Sequence, residues 1–193
     1  MTRTLETMLT CCTLVASAAI PPGAGAATAA SPAKISFNGT DFLHRWSQNG
    51  QNEFTPAGEE DLNAWKSMVT INVHDEARNG DQLAQLANQV LGRYQANGRV
   101  LRTDSKPRTK DHEAEHFASV IFASPTAIEA AFARMLLVEK RGVVVVYSHR
   151  IYGAKVGDQM SAWLAQNGPL VEKALMAWEG MPSLAVLLSL IHI

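Results

Sequence analysis

The sequence predicts an α+β domain, with a mostly antiparallel sheet of five or more strands and helices packed mainly on one face. Three observations predict it. Alternating stretches such as Ser67-Met68-Val69-Thr70-Ile71-Asn72-Val73 have the period of half-buried strands. Several are joined by short connections carrying Asn-Gly or Gly, too short for parallel crossovers. Helical periodicity is concentrated in two long regions instead of alternating with every strand.

The elements follow in order. Residues 27–36 are small and polar and read as a flexible lead-in to a single domain over 37–180. "DFLHRWSQ" and "QNEFTP" flank Asn49-Gly50, a dipeptide that accepts the positive φ values of a type I′ turn, so they form a hairpin. Residues 58–66 fit a short helical turn, and "SMVTINVHD" a strand with Val69, Ile71 and Val73 on its buried face. Asp81 is placed to cap a helix whose apolar stripe is Leu83, Leu86, Ala87, Val90, Leu91 and Tyr94, with Gly98 as a left-handed stop.

"RVLRTDS" and "EHFASVIFAS" read as strands around the polar loop "KPRTKD". Residues 126–138 support two readings. Ser124-Pro125 resembles a helix start and Ile128, Phe132 and Met135 have helical spacing, yet the following residues read as strands joined at Glu139-Lys140-Arg141-Gly142. The preferred reading is a short helix giving way to a hairpin. Four consecutive valines, 143–146, mark a central strand buried on both faces. Asp158 starts a helix through Gln166, Asn167-Gly168 stops it, and Pro169 opens another through Trp178. Over much of residues 37 to 178 this order of elements, with no diagnostic motif, resembles the PsbP-like α/β sandwich of small exported and thylakoid-lumen proteins. The resemblance implies an accessory or assembly role and no catalytic residue.

The ends carry other signals. Arg3, the apolar run Met8–Ile20, Pro21-Pro22 and Ala24-Gly25-Ala26 follow the order of a secretory signal peptide over residues 1–26. The apolar run is shorter than the roughly 20 residues a membrane span needs. Both cysteines, Cys11 and Cys12, lie within it, so the expected mature chain has no disulfide, thiolate metal site or cysteine nucleophile. At the other end, Leu188-Ser189-Leu190-Ile191-His192-Ile193 is the translation of CTG TCT CTT ATA CAC ATC, the start of a transposase adapter used in sequencing libraries. The expectation is a truncated gene whose residues 181–193 carry no functional reading.

Net charge is −1 and no block of like charge is long, which gives no footprint for nucleic acid or an anionic membrane. Three stretches carry candidate chemistry. His112-Glu113-Ala114-Glu115-His116 spells a zinc-protease signature, but that site needs a helix. On a strand the two histidines stand about 13 Å apart, so His112, Glu113 and His116 are rejected as metal ligands. Arg150 and His149, with the Tyr147 and Tyr152 hydroxyls, form a candidate anion site at the end of the valine strand; the alternative has Arg150 paired with Asp75 or Glu53. Arg45 and Trp46 suit a planar anionic ligand if they line the same cleft. The expected function is a binding or accessory role at the cell envelope. It needs no cofactor, and its partner is a small anionic ligand or an envelope protein. The rival is a hydrolase using zinc or the His149 region.

Overall fold

The computed structural model describes residues 33–190. Residues 1–26, where a signal peptide is expected, residues 27–32 of the expected lead-in and the last three residues lie outside that range. Within it are eight strands and three helices: β1 (Lys34–Phe37), β2 (Thr40–Gln48), β3 (Gln51–Pro56), β4 (Ser67–His74), α1 (Gly80–Asn97), β5 (Arg99–Lys106), β6 (Glu115–Ala123), β7 (Ala127–Val138), β8 (Arg141–Tyr152), α2 (Gly157–Met176) and α3 (Leu184–Ser189). The strands form one sheet in the order β1-β2-β3-β4-β8-β7-β6-β5. Every pairing is antiparallel, so the α+β architecture holds.

Strand alternation builds two cores. On one face Phe54, Val69, Val145, Phe132 and Phe117 pack with Met160, Val171 and Leu175 of α2 and with Leu184 and Leu187 of α3. On the other, Ala133, Met135 and Val144 pack with Ala77 and with Leu83 and Leu86 of α1. Two helices therefore share one face and α1 covers part of the other.

Asn49 and Gly50 have φ values of 51° and 80°, as the hairpin reading requires. Asn38-Gly39 repeats that chemistry at 48° and 78° and joins β1 to β2. Lys34–Phe37 is thus a strand where the sequence reading had a lead-in.

Other expectations are corrected. Residues 58–66 form bends, because the Glu59 carboxylate accepts the Lys66 and Ser67 N–H groups at 2.7 and 2.9 Å in place of a helical ladder. Asn79, not Asp81, caps α1 by accepting from Gln82 N–H at 3.0 Å. Gly98 is extended, at φ −153°, and its glycine is needed for room. An added Cβ would lie 2.6 Å from the Ile121 carbonyl oxygen.

Residues 127–138 are strand throughout, with Ala130 to Met135 buried without a break. A strand covered on both faces has no alternation to display, and Ile128, Phe132 and Met135 matched the helical period by accident. The two helices read at 158–166 and 169–178 are one, α2, with Pro169 inside it. Asn167 Nδ2 donates to the Trp163 carbonyl at 3.0 Å just before the proline.

Candidate functional site

β8 divides its polar end between the two faces. Tyr147 lies opposite Val69 and Phe132, on the α2 side, with its ring 5.3 Å from that of Phe37. His149 shares that side, and its imidazole stacks on the Trp163 indole at 4.1 Å and 8°. Burial lowers the His149 pKa, against an opposing pull from the Glu59 charge. Arg150 faces the other way. Its guanidinium sits 4.0 Å over the Trp65 ring and donates to one Glu129 oxygen at 2.7 and 3.2 Å. The carboxylate partner is therefore Glu129, neither Asp75 nor Glu53. Tyr152 donates its hydroxyl to the Trp65 carbonyl at 2.9 Å.

Arg45 and Trp46 sit at a bulge in β2. Arg45 donates to Thr55 Oγ1 at 2.9 Å, to the Pro56 carbonyl at 3.0 Å and to Glu60 at 3.2 Å. Trp46 lies opposite Glu53, whose carboxyl pKa is raised by burial. With β3 and β4 between them, β2 and β8 run about 14 Å apart. The structure joins Arg150 with Tyr152, and Tyr147 with His149 only as neighbours on a covered face. It does not gather the six residues into one cleft.

The zinc-like stretch opens a strand. His112 to Ala114 lie in the preceding loop, and Glu115 and His116 begin β6. Glu115 proves to be the informative letter. Arg134 donates to its two carboxylate oxygens at 2.8 and 2.9 Å and to the Leu175 and Trp178 carbonyls at 3.0 and 2.8 Å. Lys106 Nζ reaches the Met176 carbonyl at 2.5 Å. Two cations thus hold the C-terminal end of α2, where the helix leaves carbonyls unpaired. Burial pushes the Glu115 pKa up, but the bonds and charges of Arg134 and Lys106 outweigh it and hold the carboxyl below its ordinary value. A buried arginine inside the apolar pattern of β7 was the signal for this network, and the helical reading of that segment hid it.

Beside the network an open groove of about 510 Å³ runs between β5 and α2, lined by Arg102, Asp104, Ser105, Lys106, Pro169, Glu172, Lys173 and Met176. Arg102 spans it, donating to Asp104 at 2.6 Å and to Glu172 at 3.0 Å. Lys173 has no ion pair among the described residues. Ser105 Oγ lies 3.0 Å from His116 Nδ1, yet the buried Nε2 of that ring has no hydrogen-bond partner among the described residues. The pair therefore lacks the orienting third group that a hydroxyl nucleophile's base requires. The groove offers charge, extended backbone nearby and a short apolar floor, which suit holding a polar chain.

A protein-family model matches residues 29–177 of the chain. No curated protein matches it. Among solved structures, the Ran-binding protein Mog1p of Saccharomyces cerevisiae superposes with a TM-score of 0.45 at 10% identity, covering 75% of this chain and 90% of that one. A Pseudomonas aeruginosa protein of unknown function gives 0.44 at 11% identity, covering 79% and 99%.

Proposed function

The chain belongs to the family whose model spans residues 29–177, a stretch that includes both walls of the β5–α2 groove, and on that premise we infer that it is a binding module that holds an extended, carboxylate-bearing segment of a protein partner in that groove. The groove carries the reading. Arg102, Lys106 and Lys173 outnumber Asp104 and Glu172 along its walls, and Arg102 already binds carboxylates there. The partner's carboxylates would exchange with those of Asp104 and Glu172 and pair with Lys173. Export and work at the cell envelope belong to the same reading, supported by the signal-peptide order of residues 1–26. N-terminal sequencing of the secreted or periplasmic form should begin at Ala27.

The binding test uses the isotope-labelled protein and a synthetic peptide of alternating Glu and Thr. Amide shifts should move along Arg102–Lys106 and Leu170–Met176, and Lys173→Glu should weaken binding several-fold, increasingly at low salt. Shifts mapping to another surface, or affinity indifferent to Lys173→Glu, would overturn the reading.

A further inference from the structure

The two edges of the sheet are not alike. β1 is four residues long, and its Ser36 carbonyl accepts the Trp178 indole N–H at 2.9 Å. β5 is eight residues long and among the described residues pairs only with β6, and every residue in it except Val100 is exposed. Its outer row of N–H and C=O groups is a template for another strand. Natural edges are often blunted by charged side chains or bulges, but the charges of β5 have both signs, so they can pair across a seam as well as repel. In β5 the irregularity is confined to one end, between Val100 and Arg102.

We propose that β5 pairs with β5 of a second copy of this chain, antiparallel and centred on Thr103, to make one continuous sheet through a two-fold dimer. The occupant is argued from charge. A two-fold axis normal to the sheet places opposite each other only residues that face the same side, which leaves four registers that pair five or more residues of β5; centring on Leu101 makes no charge pair. Centring on Arg102 sets that arginine against itself. Centring on Asp104 sets Asp104 against itself and Arg102 against Lys106. Centring on Thr103 sets Arg102 against Asp104 of the second copy, Asp104 against its Arg102, and Thr103 against Thr103. Opposite charges and paired threonines stabilise directly opposed strand positions, and like charges destabilise them. One register of the four sets opposite charges against each other, as complementarity between identical surfaces requires.

In that register the two grooves lie on the same side of the joined sheet, flanking the axis. The inference shares Arg102 and Asp104 with the groove reading, but the two fail separately: sedimentation reads the dimer, and the effect of Lys173→Glu on peptide affinity reads the groove.

Analytical ultracentrifugation of the full chain at about 100 µM should find a species of twice the 20.9 kDa chain mass. Arg102→Asp alone, and Asp104→Arg alone, each put like charges opposite each other and should weaken the dimer about tenfold or more. The double exchange Arg102→Asp/Asp104→Arg restores both pairs and should recover it, with circular dichroism confirming the fold of each variant. In a chain with Cys11 and Cys12 changed to Ser, Thr103→Cys should cross-link to a covalent dimer on mild oxidation, while Ser105→Cys should not. A monomer at that concentration, a dimer indifferent to the single exchanges, or equal cross-linking at both positions would overturn the proposal. If the single variants fail to fold, the cross-linking pair decides alone.

Discussion

Arg134 spends its charge almost wholly inside the protein, where every bond it makes fixes something else. It joins β7, the first residue of β6 and the last turn of α2 through four hydrogen bonds. Removing one member of such a pair leaves the other desolvated and uncompensated. Arg134→Ala should therefore cost about 3–5 kcal/mol in urea unfolding, more than Lys106→Ala on the exposed side of the same network. The histidines supply a second test at this scale. Burial holds His149 and His116 below their ordinary pKa in the folded chain. The unfolded chain then takes up protons first as pH falls. The stability they contribute is complete above about pH 6.5 and is lost as pH drops from there through their folded values. Melting temperature should decline over that window, and His149→Gln should flatten part of the decline. A slope unchanged in His149→Gln would mean that the stacked imidazole stays neutral for no energetic reason.

At the scale of elements, α2 runs through Pro169 without breaking, although proline supplies no N–H to the preceding turn and crowds its carbonyl. The burial of Met160, Val171 and Leu175 on one helix face outweighs that cost. Pro169→Ala should raise stability, by up to about 3 kcal/mol, read as a higher melting temperature. The same helix shows where the sequence was legible. Local chemistry announced the hairpin at Asn49-Gly50, the strand 67–74 and the stripe of α1, because each depends on residues close in the chain. Packing from both sides decided β7 and the continuity of α2, and no short window of letters contains it. The candidate site divides in the same way. The sequence picked out Arg150 and His149 as polar groups ending a buried strand, where alternation sends neighbours to opposite faces; what it does not contain is that Trp163 covers one of them and Trp65 the other. The β5–α2 groove brings together residues some 70 positions apart, as the Arg102–Glu172 pair does, and only the fold assembles it.

Across the whole molecule, β7 and β8 are the spine. Each has twelve residues, and together they separate the two apolar clusters. The turn between them is Glu139-Lys140, with φ values of 49° and 61° in a region that costs non-glycine residues roughly 1–2 kcal/mol each. The longest hairpin in the sheet thus closes over its least willing turn. Such a turn does not seed the hairpin; the strands must meet by collapse and then force the reversal into place. The barrier to folding would then carry the strain of those two residues. Replacing them with Asn and Gly should raise the refolding rate measured by stopped flow and leave the unfolding rate nearly unchanged. If only unfolding slows, the turn forms after the barrier. If refolding quickens, the speed at which this protein matures, and the time its apolar strands spend unpaired, is set in part by two exposed charged residues.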